Sequence, residues 1–420
     1  MRDKKTIVLL VILAILVVIA GGVLIYKVKN SKKAEPTVEV NEPVDVAENS
    51  TLVVSKQNQI KIFNGTDRPI AVMIDNHSGA WPQANLNKAY LVYEIVVEGG
   101  ETRLMALFKG QNLDKIGPVR SSRHYFLDYA LENDAIYVHH GWSPQAQSDI
   151  STLGVNNING IQESSASFWR VKDKSAPHNL FTSTDSILKI AERKGYSKTS
   201  DKKSVLNYVA NEVEMPATAV NATSVTIPHS NLQTVKYEYD VQNKTYKRYA
   251  RNKLQTDYIT GETITTKNII ITMCDNYTLN DSENKGRQGL KNIGTFKGYY
   301  ITEGKAIEIQ CTKNDRDEQT VYKDLNGKEI EVNDDILLVQ VNHFCKNASI
   351  IHKNASKNAR NADIPEQRKE KERKEEKSRE YMFCAGKPAQ NRSLASIPPK
   401  REDVEQYITD QRYPFSVDEF

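Results

Sequence analysis

AYLVYEIVV, residues Ala89–Val97, is an apolar run rich in β-branched and aromatic side chains, with one carboxylate, Glu94, near its centre. Such a run, too short for a typical helix, is typical of a strand that is buried on both faces. Similar runs occur at Ile70–Ile74, Thr102–Lys109 and Ala135–His139. Together they predict a β-sheet at the centre of the protein.

Helical patterns alternate with these strands in residues 61–200. Ser121–Glu132 has apolar residues at helical spacing, and Thr184–Lys194 follows a potential N-cap at Thr182 or Ser183. Strands that alternate with helices favour a mixed α/β domain in this part of the chain.

From residue 229 to 341 the pattern changes to short strands with turn signals between them. Asn243-Lys244, Glu303-Gly304 and Asn326-Gly327 lie where hairpin turns are expected. We predict a smaller antiparallel β-rich domain here, joined to the first by a connector at 201–228. The predicted fold class is therefore α+β.

Residues 7–26 form an apolar run with lysines on both sides. As a helix this run would rise about 30 Å, the thickness of a bilayer core. We predict a transmembrane anchor at 1–29 that contacts the lipid bilayer, a single-pass topology with the body outside the cytoplasm, and a linker at 30–60. A cleaved signal peptide is the alternative, but no clear small-x-small cleavage site follows the run.

Charge and cysteine content exclude other classes of protein. A net charge of +4 over 420 residues gives no reason to expect a nucleic-acid partner. The cysteines form no C-x-x-C pair, which argues against a zinc knuckle and favours unpaired thiols; they are Cys274, Cys311, Cys345 and Cys384. Residues 342–420 include a dense run of Glu, Lys and Arg, and we predict a charged low-complexity tail.

Polar residues gather in the loops at the predicted strand ends of the first domain, where binding sites are common. Arg120 and Arg123 lie three residues apart on one face of a predicted helix, near its N-terminus, a geometry that suits an anion. Solvated helix residues are the plainer alternative for both. Trp142 and Trp169 would add stacking area for a sugar or an aromatic group. The predicted ligand-binding residues are Asn76, Arg103, Arg120, Arg123, His140, Trp142, His178 and Asn179.

The same region has candidate residues for metal binding and for acid/base catalysis. The histidines at 77, 139, 140 and 178 match no local metal-ligand motif, so we predict no metal site and no cofactor. Glu94 and Glu98 lie on one face of a predicted strand and could act as acid and base on a glycan. A polar outer face with Arg103 as a partner is the alternative.

Several segments resemble the YerB-like family, also called the DUF3048 domain family. They include RPIAVMIDNH at 68–77, IGPVRSSR at 116–123, HHGWSPQA at 139–146 and APHNLFTS at 176–183. The resemblance covers residues 50–341. It implies a two-domain, envelope-associated protein, often a lipoprotein, of low-GC Gram-positive bacteria, and it implies no particular reaction.

The chain departs from the family pattern at both ends. An apolar run stands where family members often carry a lipidation cysteine, and residues 342–420 lie beyond the pattern. A genuine extension and a read-through or frameshifted stretch both fit this tail.

Three functions follow as hypotheses. The first is a binding module for an anionic cell-envelope ligand or a protein partner. The second is a hydrolase or transferase on a cell-wall polymer, with Glu94 or Glu98 as acid/base and Arg120 stabilising charge. The third is an envelope scaffold whose charged tail recruits a partner.

Overall fold

The structure, a computed structural model, describes residues 60–341 and the backbone of Ser349–Ile351. Three predicted segments lie outside the described residues: the anchor at 1–29, the linker at 30–60 except its last residue, and almost all of the tail at 342–420. Within the described ranges, no helix is long and apolar enough to span a membrane.

The described chain is rich in strands and has few helices. The helices are α1 (His124–Glu132), α2 (Pro144–Thr152) and α3 (Thr184–Arg193). The strands up to residue 209 are β1 (Ile70–Asp75), β2 (Leu91–Val96), β3 (Thr102–Phe108), β4 (Ile136–His139), β5 (Asn157–Asn159), β6 (Trp169–Arg170), β7 (Leu180–Phe181) and β8 (Asn207–Val209). The later strands are β9 (Val220–Asn221), β10 (Ser224–Pro228), β11 (Thr234–Asp240), β12 (Thr245–Ala250), β13 (Lys253–Leu254), β14 (Thr265–Thr266), β15 (Asn268–Thr272), β16 (Asp275–Thr278), β17 (Gln288–Lys291), β18 (Gly294–Thr302), β19 (Lys305–Lys313), β20 (Val321–Asp324), β21 (Glu331–Asn333), β22 (Leu337–Val341) and β23 (Ser349–Ile351).

One large sheet contains strands from both halves of the described chain. Its order is β20-β19-β18-β15-β22-β2-β3-β1-β4-β5, with β9 added beside β19. A second sheet has the order β13-β12-β11-β10-β23, with β14 beside β12. The mixed α/β, strand-rich fold expected from the sequence is present.

The expectation that the second half is entirely antiparallel is wrong for β22. This strand pairs parallel with β15 on one side and parallel with β2 on the other. All five of its residues are buried, as expected for a strand with neighbours on both edges and layers on both faces. β22 thereby joins the strands of the two halves.

The large sheet is covered on both faces, which explains the continuous apolar runs in its strands. One face packs against α3 and against the apolar side of the second sheet, through residues such as Ile187, Val225 and Tyr237. The other face packs against α1 and α2, through residues such as Phe126 and Ile150. Side chains alternate between these layers along each strand.

The predicted helices are present with corrected boundaries. The helix predicted at Ser121–Glu132 begins only at His124, and α3 is capped by the Ser183 side chain. Helix α2 was missed because Ala146 and Ile150 are its only buried residues, so it lacks a strong apolar stripe.

The three predicted hairpin positions are turns. Lys244, Glu303, Gly304 and Gly327 all have positive φ angles, the backbone form that tight hairpins between twisted strands require.

A buried polar centre lies between the two sheets. Glu94 of β2 and Arg248 of β12 have no solvent-exposed side-chain surface, and Oε2 of Glu94 lies 2.9 Å from Nη2 of Arg248. The other carboxylate oxygen accepts hydrogen bonds from the Asn76 amide at 3.1 Å and the Thr102 hydroxyl at 2.8 Å. Burial alone would raise the pKa of Glu94, but the charges of Arg248 and His229 and the hydrogen bonds from Arg248 and Thr102 together outweigh burial and lower the pKa. Glu94 is therefore ionised.

We expect Arg248→Met to destabilise the protein, because it leaves the Glu94 carboxylate buried without its counter-charge. The expected loss is about 3–5 kcal/mol of the free energy of unfolding, measured by urea titration. The double variant Glu94→Gln/Arg248→Met should recover part of this loss. Equal stability of the single variant and the wild type would contradict the prediction.

Candidate functional site

The candidate site lies where neighbouring parallel strands end. β1, β4 and β5 run parallel, so their carboxyl ends meet at one edge of the large sheet. The residues there include Asp75, His139 and Asn159. Such edges collect ligand sites because the loops that leave the strands converge.

An extended segment, 116–123, runs along this edge and positions Arg120. The Asp75 amide donates to the Pro118 carbonyl at 2.8 Å, and the Arg120 amide donates to the Met73 carbonyl at 2.9 Å. The Arg120 carbonyl then accepts from the His140 amide at 3.0 Å. Gly117 allows this path, because it has a φ of +145° and a Cβ there would lie 2.8 Å from the Leu180 carbonyl.

The prediction that Arg120 and Arg123 share a helix face is therefore wrong. Both precede α1, since Arg123 is its extended N-cap residue and Arg120 lies in segment 116–123. Backbone hydrogen bonds to β1 hold this segment extended. The two guanidinium groups consequently contact different carboxylates.

We call Asp75, His77, Arg120 and His178 the Asp75 cluster. Oδ2 of Asp75 lies 2.7 Å from Nδ1 of His178 and 3.4 Å from Nε of Arg120. Oδ1 of Asp75 accepts from the His77 amide at 3.0 Å. The His77 and His178 rings stack with centroids 4.3 Å apart and an interplanar angle of 12°.

Asp75 is ionised in this setting. Burial alone would raise its pKa, but the hydrogen bond to His178 and the charge of Arg120 outweigh burial and lower the pKa. The carboxylate is nearly buried, whereas the side chains of His178 and Arg120 are 19% and 29% exposed. The cluster thus presents an imidazole and a guanidinium to solvent above a buried negative charge.

Glu98 binds the two other predicted arginines. It accepts from Arg123 Nε at 2.8 Å, contacts Arg123 Nη2, and lies 3.3 Å from Arg103 Nη2. Burial and the charge of Arg123 lower the pKa of Arg103 to about 10. Arg103 also donates to the Ser121 carbonyl at 2.7 Å. Both side chains are 8% exposed. They therefore connect the loops and contribute positive electrostatic potential, but they form little of the solvent-facing surface.

Arg120, His140 and Arg170 form what we call the cationic rim. The His140 amide donates to the Arg120 carbonyl at 3.0 Å. Burial and the charges of Arg170 and Arg120 lower the pKa of His140, so the two guanidinium groups carry the positive charge of this rim. Arg170 is exposed, and its Nη1 donates to Oδ1 of Asn179 at 2.7 Å.

Two other predicted residues have supporting positions. Asn76 is fully buried, and its side chain bonds to Glu94, Thr102, Trp81 and Gln83, so the prediction that it lines an open cleft is wrong. Asn179 is also buried, and its amide nitrogen bonds to the carbonyls of Val171 and Lys174.

The tryptophans are half-buried. Trp142 packs against the His139 ring with centroids 5.5 Å apart, and Trp169 pairs with Phe181 across β6 and β7. Partial exposure leaves each ring with some free surface.

The two carboxylates proposed for acid/base chemistry do not suit that role. Glu94 is fully buried in its ion pair and cannot contact a substrate. Burial alone would raise the pKa of Glu98, but Arg123 and Arg103 outweigh it and lower the pKa to about 2. Glu98 therefore carries no proton to donate near neutral pH.

Sequence reasoning missed Arg170 and the role of Asp75 and His77. Asp75-Asn76-His77 and Ala176-Pro177-His178 are separate motifs in the sequence. Asp75 and His178, which bond to each other in the structure, lie 103 residues apart in the chain. Arg170 follows Trp169 in a segment without a recognisable pattern, so only the fold places it beside His140.

The family description "Protein of unknown function (DUF3048) N-terminal domain" matches residues 58–197, and the corresponding C-terminal domain matches residues 225–334. A protein of Bacillus subtilis (strain 168) named "Putative lipoprotein YerB" is 33% identical over 268 residues, which cover 64% of this chain and 76% of that protein. The chain belongs to the DUF3048 family.

A solved DUF3048-type structure supports the same fold. The crystal structure of the YerB protein from Bacillus subtilis superimposes with a TM-score of 0.61 at 31% identity, over 68% of this chain and 94% of that one. The Asp75 cluster and the cationic rim both lie within the residues that match the N-terminal DUF3048 domain.

The Glu98 ion pairs give a pH-dependent stability prediction. The pKa of Glu98 is about 2 in the folded protein, below its ordinary value of 4.5. Its stabilisation is therefore full above pH 4.5 and is lost as the pH falls through about 2. We expect Glu98→Gln to lower the free energy of unfolding at pH 7 by roughly 1–3 kcal/mol, and the difference from wild type to shrink in acid.

Glu192→Gln is the matched control, since Glu192 is paired with Lys198 on the exposed surface. It should change stability little at any pH. A Glu98→Gln deficit that stays constant from pH 7 to pH 3 would show that lost packing, not charge, explains it.

Proposed function

We propose that this protein is a membrane-anchored, extracytoplasmic binding protein that captures an anionic envelope ligand on the cationic rim. The observation that carries the proposal is an excess of positive charge at one edge of the sheet. Among residues 60–341, the ion pairs of Arg103, Arg120 and Arg123 involve two carboxylates, Asp75 and Glu98. Arg170 donates instead to the neutral side chain of Asn179.

Arg120 is the central residue of this proposal. Its contact with Asp75 is long, at 3.4 Å, and its side chain is 29% exposed. It therefore keeps donors available in the planar fork that suits a phosphate or a carboxylate. Exposed Arg170 supplies a second guanidinium, and His178 supplies a ring beside them.

A groove elsewhere on the body has the opposite charge and does not suit an anion. A groove of about 500 Å³ lies between residues 213–220 and strands β18 to β20. Its lining includes one lysine, Lys328, and five carboxylates: Glu214, Glu308, Asp324, Glu329 and Glu331. Because the groove is lined mainly by negative charge, it would repel an anion, so the cationic rim is the better anion site.

The proposed location rests on the relative and on the N-terminal sequence. The relative from Bacillus subtilis is named as a lipoprotein, which supports attachment to a membrane with the body outside the cytoplasm. In this chain the apolar run at 7–26 would serve as a single-pass anchor. A scaffold role for residues 342–420 stays a separate hypothesis, since nearly all of that tail is outside the described residues.

We expect Arg120→Ala to weaken binding of an anionic wall fragment by about tenfold or more, because a charge-assisted pair is lost. The measurement is calorimetric titration of the full-length protein in mild detergent. The two probes are poly(glycerol phosphate), which carries phosphates, and N-acetylmuramyl dipeptide, which carries carboxylates.

Lys189→Ala removes one positive charge from the exposed side of α3 and serves as the control. It should bind both probes as the wild type does. Equal affinity of Arg120→Ala and wild type for both probes would overturn the proposed function.

The anchor is tested separately. Full-length protein should sediment with membranes and resist extraction by alkaline carbonate, whereas a variant without residues 1–29 should not. Full-length protein that stays in the supernatant with its apolar run intact would contradict the anchor.

A further inference from the structure

The hydrogen bonds of the Asp75 cluster fix where the imidazole protons lie. Ionised Asp75 can only accept, so the proton of the bond at 2.7 Å belongs to Nδ1 of His178. A neutral His178 therefore has an unprotonated Nε2. Among residues 60–341, no side chain or backbone group forms a hydrogen bond with this Nε2.

The stacked partner has the opposite tautomer. The backbone amide of Gly79 donates to Nδ1 of His77 at 3.1 Å. Because that nitrogen accepts, the proton of a neutral His77 lies on Nε2. The two parallel rings thus offer a proton acceptor and a proton donor, with centroids 4.3 Å apart.

The surroundings hold this pair in place. A Cβ at Gly79 would lie 3.1 Å from Cδ2 of His178 and 3.3 Å from Nδ1 of His77, so only glycine leaves the rings free of a crowded contact. Nearly buried Asp75 orients His178 and also faces Arg120. A base oriented by a carboxylate beside a guanidinium is the arrangement that general-base chemistry on an anionic ester needs.

We infer that His178 is a general base, oriented by Asp75, for hydrolysis of a phosphodiester held at Arg120. This inference rests on the proposed anion site and names its substrate class. In the step, Nε2 of His178 takes a proton from water as the water oxygen bonds to phosphorus. The bond between phosphorus and the leaving oxygen breaks on the opposite side of phosphorus. The leaving oxygen takes a proton from solvent water, and Nε2 of His178 returns its proton to solvent.

The products are a phosphomonoester and an alcohol, and water is the only co-reactant. Arg120 stabilises the charge on the non-bridging oxygens, and Nε2–H of His77 donates to one of them. Asp75 is a positioning residue, because it acts through His178. The phosphodiester could belong to a wall polymer or to a lipid headgroup, and these sources share the chemistry recognised here.

The experiment measures turnover by the full-length protein with bis(4-nitrophenyl) phosphate, poly(glycerol phosphate) and phosphatidylglycerol vesicles. The last two arms distinguish a polymer from a lipid source. We expect His178→Ala to lose roughly a hundredfold or more of the turnover, and added imidazole to restore part of it. Imidazole should not restore Arg120→Ala, which lacks the anion contact.

His124→Ala is the control for loss of a histidine, since His124 lies at the start of α1 near Asp149 and Arg316. It should retain turnover. Turnover by His178→Ala equal to wild type would overturn the inference. So would Arg120-dependent binding without turnover of any probe, a result that leaves the proposed function standing. Binding that does not depend on Arg120 would remove the proposed function itself.

Discussion

The structure depends on the pairing of β22 between β15 and β2. Five residues, Leu337–Val341, bond in parallel to a strand from each half of the body. With β22 between them, neither β15 nor β2 has an unpaired edge at that position, and the sheet contains eleven strands. Both apolar layers are built on that sheet, and so is the edge that holds the candidate site.

The site follows from the direction of the strands. β1, β4 and β5 end at one edge, and segment 116–123 is held there by backbone bonds to Met73, Asp75 and His140. The ion pairs of this region differ in how deeply they are buried. Glu94 and Arg248 are fully buried and join the sheets, Glu98 binds arginines that are nearly buried, and Asp75 lies beneath groups that reach solvent. Of these three sets, the one around Asp75 reaches solvent, through His178 and Arg120.

The strands of the sheet could be predicted because both faces are buried, so their sequences are apolar throughout. The pairing of β22 could not be predicted, since its parallel neighbours are more than sixty residues away in the chain and local sequence does not encode such a pairing.

Helix α2 was not predicted because most of its residues are exposed and it has no apolar stripe. Arg120 and Arg123 were placed on a helix because the backbone bonds that extend segment 116–123 come from another strand. His178 and Asn76 were both predicted to bind a ligand. The ring of His178 is accessible and the amide of Asn76 is buried, a difference that depends on the tertiary structure.

The position of β22 also sets an order of events for a body that is made from its N-terminus. β2 is complete at Val96, but its permanent neighbour begins at Leu337. Until that segment emerges, the half of the sheet that carries Asp75 has an open edge beside β2. A chain that is made from its N-terminus therefore completes this half of the sheet only after nearly all of the described body has been synthesised.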